Sequence, residues 1–298
     1  MITLKESILS KSKRSIKDEM PDIQKTCIKE FIMSHYRGMN TSLSNMFSRG
    51  DIIISETADE DGIYTVDAPK STLELQDYDG EYVTDGTFRW GTVDHFTINK
   101  CPNLKSFLYG PVTCDVFRCL RCPNIVNLEH SPKFCHQFCC LYGGLKSLEG
   151  SENMKGTHIT SGEFVWDFDV SYNDQLTNLK RGPFRVKCFS CTGCKNLKSI
   201  KGGPQHCEIF HCCDTGIRNL KGFDSDAQSL DCSNNKNLTS LAGAPTKLVG
   251  TFSCTRCPKL MSLEDCPISC FRFNCENCGG KFTKRDVEKS CMTEYISV

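Results

Sequence analysis

Cysteine is the most chemically versatile residue in this chain and one of its most frequent, at 22 of 298 positions. Four pairs have Cys-x-x-Cys spacing: Cys119/Cys122, Cys191/Cys194, Cys254/Cys257 and Cys275/Cys278. The last two pairs are separated by 17 residues, and Cys254, Cys257, Cys275 and Cys278 together have the spacing of a zinc ribbon, in which thiolates close a tetrahedral site. A second candidate is a Cys/His pair, because His211 stands two residues before Cys213. No phosphate loop, nucleophile motif or His-Glu-x-x-His metal motif occurs, so no catalytic residue is assigned and a non-enzymatic protein is expected. Lysine plus arginine equals aspartate plus glutamate, 36 each. That balance gives no global field towards nucleic acid or an anionic membrane, and neither is an expected partner.

What positions these cysteines is an internal repeat. An apolar anchor recurs at Phe96, Phe117, Phe138, Phe168, Phe189, Phe210, Leu230, Phe252 and Phe273, with gaps of 20 to 22 residues and one of 30. Two residues after each anchor stand Ile98, Cys119, Cys140, Val170, Cys191, Cys212, Cys232, Cys254 and Cys275. Five after it stand Cys101, Cys122, Gly143, Asn173, Cys194, Thr215, Asn235, Cys257 and Cys278, residues suited to a tight turn leaving a strand. Leucine or isoleucine follows, as at Leu104, Leu145 and Leu238, then a second apolar position and a Gly or Pro break such as Pro111, Pro183 or Pro245.

The anchor and its +2 neighbour face one way on a short strand, and 21 residues leave little room for a return helix. Stacked units bury one continuous core that a single unit cannot. The expected fold is therefore a leucine-rich-repeat-like solenoid, mostly β, of about nine parallel-stranded units. Each Cys-x-x-Cys pair falls on the two inward columns, where other units carry Ile, Val, Gly, Thr or Asn. Packing tolerates that interchange and metal ligation does not, so a buried free-thiol ladder is expected ahead of zinc, with disulfides between coils as a further alternative.

The run Phe-x-Cys-x-x-Cys-x-x-Leu-x-x-Leu resembles the leucine-rich-repeat consensus. Leu230-Asp-Cys-Ser-Asn-Asn-Lys-Asn-Leu-Thr-Ser-Leu-Ala-Gly-Ala-Pro245 and Cys194-Lys-Asn-Leu-Lys-Ser-Ile-Lys-Gly-Gly-Pro204 are similar to the "NLTSLxGAP" arrays encoded by large tailed bacteriophages. That resemblance implies a viral origin and the cytoplasm of an infected host, or the virion, as the location. It also departs from those arrays in its heavy use of cysteine.

Outside the repeat, residues 1–50 read as a helical cap or docking segment, with Ile23, Cys27, Ile28, Phe31 and Ile32 at helical spacing and a basic cluster at Lys11, Lys13, Arg14 and Lys17. Residues 51–95 read as lead-in strands, 96–278 as the solenoid and 279–298 as a C-terminal cap. The start, Met1-Ile-Thr-Leu-Lys-Glu-Ser, has no apolar signal core, and no apolar run reaches the roughly 18 residues of a membrane span, so a soluble, reduced, intracellular protein is expected.

The one long gap places an insertion at 151–166, carrying Met154, His158, Phe164 and Trp166. Insertions in solenoids map to loops, often on the binding face. Residues one after each anchor point outward, among them Arg118, Cys139, Asp169, His211 and Asp231, and those three after include Leu120 and Leu141. Arg118, Leu120, Cys139, Leu141, His158, Phe164, Trp166, Asp169, His211 and Asp231 are accordingly the expected binding residues for a protein partner, with no cofactor. A structural virion or assembly component and a zinc-stabilised regulatory module are the alternatives.

Overall fold

The computed structural model describes residues 21–39, 41–157 and 164–298, and these form a mostly-β parallel solenoid of about 11 turns. Eleven strands stack in chain order, all parallel: β3 (Tyr64–Gln76), β4 (Phe88–Asn99), β5 (Thr113–Leu120), β6 (Phe134–Leu141), β7 (Val165–Asp169), β8 (Val186–Ser190), β9 (Ile209–His211), β10 (Ser229–Asp231), β11 (Thr251–Ser253), β12 (Arg272–Asn274) and β13 (Tyr295–Ser297). The alternation of anchor and +2 residue dictates this register. Phe96 pairs Phe117, Phe117 pairs Phe138, Phe138 pairs Phe168, and the column continues unbroken to Phe273. The column is longer than the repeat count suggests. Leu73 precedes it in β3 and Ile296 follows it in β13.

Inside, the phenylalanines form a ladder, with ring centroids 5.4 Å apart for Phe117/Phe138 and 5.0 Å for Phe138/Phe168, both near-parallel. Each ring is at most 1 % exposed, and burying one stabilises by about 1.5–3 kcal/mol. The two leucine columns, including Leu104, Leu145, Leu238, Leu128, Leu179 and Leu241, close the opposite wall.

Corners turn the chain by a device the residue types conceal. Four residues after the anchor, ten successive coils place a residue at positive φ: Asp77, Lys100, Arg121, Tyr142, Tyr172, Gly193, Asp214, Asn234, Arg256 and Asn277. A left-handed conformation costs a side-chain-bearing residue about 1 kcal/mol or more. Here nine of the ten, all but Asn277, use their N–H to continue the inter-coil ladder, as Lys100 donates to Leu120 O (2.9 Å) and Arg256 to Glu276 O (2.7 Å). A second positive-φ corner recurs 12 or 13 residues after the anchor, from Gly86 to Asp265.

The N-terminal end is covered by a helix over residues 21–35, α1, which leads directly into β1 (Tyr36–Gly38). Its buried stripe is Ile28 and Ile32 with Phe31, which meets Phe88 edge-on at 5.8 Å. Ile23 and Cys27 are exposed instead, so the expected apolar face is displaced by a turn towards Tyr36. Tyr36 packs on Trp90 and donates to Val83 O at 2.5 Å. β1 and β2 (Ile53–Ile54) pair antiparallel with β3, covering its free edge. Between them, α2 (Leu43–Arg49) buries Leu43 and Met46. The basic cluster Lys11 to Lys17 lies outside the described residues.

Near the C-terminal end the chain is not only a cap. After α3 (Lys284–Ser290), held by a Thr283/Asp286 capping box, it adds β13 as a further coil. Among the described residues no helix is long and apolar enough to cross a membrane.

Candidate functional site

Turn thiols and turn asparagines perform the same task. Cys194 donates to Val170 O (3.3 Å), Cys257 to Cys232 O (3.5 Å) and Cys278 to Cys254 O (3.0 Å), in each case the +2 carbonyl of the preceding coil. Asn173 donates to Cys140 O (2.8 Å) and Val170 O (2.9 Å), and Asn235 to Cys212 O (2.9 Å) and Cys232 O (2.8 Å). Both residue types offer a short side-chain donor where two backbone carbonyls converge, which explains why the sequence interchanges them.

Cys254, Cys257, Cys275 and Cys278 are all buried, Cys257 and Cys278 in this role, and no three of their sulfurs belong to a group converging within 4.8 Å. Burial pushes the thiols of Cys191, Cys212 and Cys232 well up, and holds Cys194 and Cys275 near 12. All the cysteines are free thiols, and the Cys270 and Cys291 sulfurs stand 3.7 Å apart.

On the outer face, the expected row forms in register: Arg118 beside Cys139, Cys139 beside Asp169, and onward through Ser190 to His211, which pairs Asp231. Asp169 is fixed by the Ser171 amide (2.9 Å) and hydroxyl, and that hydroxyl meets Ser190 Oγ at 2.9 Å. Burial, then the Asp169 charge, pushes the Cys139 thiol up to about 12. Leu120 and Leu141 lie side by side but only half-buried at the strand ends. Beyond them Tyr142 and Tyr172 stack at 4.5 Å.

Phe164 and Trp166 are not part of that apolar spot. They stand at the start of β7, five residues of strand, on the order of 16 Å, from the level of Leu141. There they line an open pocket of about 370 Å³ with Arg185, Lys187, His206, Cys207, Glu208 and Asp226 among its walls. Arg185 lies over the Phe164 ring at 4.6 Å and Lys187 over Trp166 at 3.7 Å. Lys187 also reaches Glu208 (3.7 Å), and His206 Nδ1 sits 2.7 Å from Asp226, holding that carboxyl below its usual range. Met154 is buried, whereas His158 lies outside the described residues.

Arg185, Lys187, His206, Glu208 and Asp226 were not singled out from the sequence. Alternation gave no signal for them: Arg185 and Lys187 precede the anchor Phe189 by four and two residues, which would face them inward with it, whereas the strand buries Val186 in their place.

Comparison of the chain with protein-family models, with curated proteins and with solved structures finds no match. The class that the fold defines is a mostly-β parallel solenoid.

Proposed function

We propose that this chain is a non-enzymatic, protein-binding solenoid that takes its partner at the pocket beside the start of β7 and β8. One observation carries the reading: Phe164 and Trp166, supplied by the enlarged coil, flank an open pocket with Arg185 and Lys187 laid across their rings. Aromatic and arginine side chains grouped in a concavity are the composition of interface hot spots. Trp166 is 38 % exposed at the pocket, whereas the chain's other tryptophan, Trp90, is buried, which fits a side chain retained for contact. The outer row through Asp169 and His211 extends the same face. The likeness of the units to phage-encoded arrays supports seeking that partner in lysate of an infected bacterium.

Affinity capture with the intact chain and with Phe164→Ala/Trp166→Ala, under reducing conditions, tests this. One stoichiometric partner lost from the double variant, with the melting temperature kept, is the expected result. Equal capture by both chains, or none by either, overturns it.

A further inference from the structure

We infer that His211, Cys213 and Asp231 form a binding site for a zinc-type divalent transition-metal ion on the outer strand face, separate from the pocket at Phe164 and Trp166. Their ligand atoms all lie within 4.8 Å of one another. The chain builds this from adjacent rungs: His211 ends β9, Cys213 follows on the same side, and Asp231 is the β10 register partner of His211.

The donor set is one imidazole nitrogen, one sulfur and one carboxylate oxygen, the three ligand types that zinc takes in sites keeping a fourth position open. Ligands about 2.0–2.3 Å from a tetrahedral ion stand roughly 3.3–3.8 Å apart, so closure needs side-chain movement on the order of 1 Å. His211 Nδ1 is already 4.0 Å from Asp231 Oδ2. The carboxylate is held in place from its other side, since Oδ1 accepts from the Ser233 amide at 3.0 Å. Ser233 Oγ in turn meets Ser253 Oγ at 2.8 Å. That support leaves Oδ2 free and aimed, the arrangement by which surrounding hydrogen bonds orient a metal ligand.

The thiol is also placed unlike the ladder thiols. Cys213 is half-buried on the outer face, where other coils carry Asn99, Leu120, Leu141, Ser171, Thr192, Ser233, Thr255 or Glu276 at the same position. It borders an open cleft of about 590 Å³ with Thr192, Asp214, Lys236 and Arg256, so an ion there is reachable and its fourth position faces that cleft. Burial and the Asp231 charge keep the free thiol protonated, and it donates to Asp231 O at 3.5 Å, so the ion takes the place of that proton. A second convergent set, Asp94, His95 and Asp115, lacks sulfur and carries no proposal.

The test uses the full reduced chain, dialysed against Zn²⁺ for stoichiometry and titrated with Co²⁺ for its spectrum. One metal per chain, with a thiolate-to-cobalt charge-transfer band, is expected. His211→Ala, Cys213→Ser and Asp231→Asn should each weaken binding at least about tenfold, and Cys213→Ser should abolish the band. Cys188→Ser, another half-buried thiol, should change neither. Metal-free melting curves establish that each variant folds. No bound metal, or a band that survives Cys213→Ser or is lost in Cys188→Ser, overturns the assignment.

Discussion

The early coils and the late coils solve the same stacking problem differently. Strands β3 to β6 run for 13, 12, 8 and 8 residues, whereas β7 and β8 have five and β9 to β13 have three. Early coils are therefore joined by long backbone ladders. Late coils have a shorter strand, flanked by isolated bridges such as Arg185 to His206 and Lys247 to Ser269 and by single inter-coil backbone bonds such as Cys254 to Asn274 O (2.9 Å). Side chains add to the shortened ladder there: Asn235 with its two carbonyls, Cys257 and Cys278 with one each, and the Ser233/Ser253 contact, a device that Cys101 and Leu75 O share in the early coils. Fourteen of the 22 cysteines, Cys188 to Cys291, lie in this late region. Side-chain columns thus supplement backbone pairing in holding one coil on the next, and their share grows where the strands are short.

The largest expected effect on that division comes from pH. Burial holds Cys188 and Cys207 near 11 and Cys194 and Cys275 near 12, whereas an unfolded thiol ionises near about 8.5. Their folded values are raised, so the neutral thiol's contribution is whole below the unfolded value and is lost as pH climbs towards 11–12. Each fully buried thiol withdraws up to about 1.4 kcal/mol per pH unit in that window. The urea midpoint should fall steeply between pH 8.5 and 10, with late-coil amides exchanging first. A flat midpoint would show that the columns do not depend on neutral sulfur.

Next in size, Phe138→Ala should cost about 3–5 kcal/mol, because Phe117 and Phe168 are stacked against its two faces. Phe252→Ala, in a late coil, should cost a similar amount; a loss confined to one half would mean the ring ladder is not what the halves share. Smaller again, Asn235→Ala should cost about 2–3 kcal/mol through its unmade bonds to Cys212 O, Cys232 O and the Thr215 amide, and Asn235→Cys only about 1. Chemical denaturation reads both, and equal losses would break the equivalence of Asn and Cys at the turn. The smallest effect is on opening: amides of β4 to β6 should exchange at least about tenfold more slowly than those of β9 to β12, a difference of about 1.4 kcal/mol in local stability. A reversed gradient would remove the distinction.

Most of the solenoid was legible from the chain, because buried positions repeat while surface positions vary. Two coils were not. Leu73 and Ile296 stand 23 residues from the neighbouring anchors, and Tyr78 occupies the turn position where Cys or Asn signals the others. The corners were hidden as well, since Lys100, Arg121 and Tyr172 are not residues that announce a left-handed backbone. Of the site, the outer row and the nearness of His211 to Cys213 followed from alternation alone. The pocket beside Trp166 did not, because strict alternation from the anchors would turn Trp166, Arg185 and Lys187 inward, whereas Val165 and Val186 are buried in their place.

The strictly sequential strand order has a mechanical consequence. A load applied to the two end coils acts along the inter-strand hydrogen bonds, so it opens them one row at a time instead of shearing many together. Each coil released would free about 21 residues, roughly 70 Å of contour, in exchange for one inter-strand spacing of about 4.8 Å. Under tension the rod would lengthen in regular steps, yielding first among the short-stranded coils and last where β3 and β4 meet.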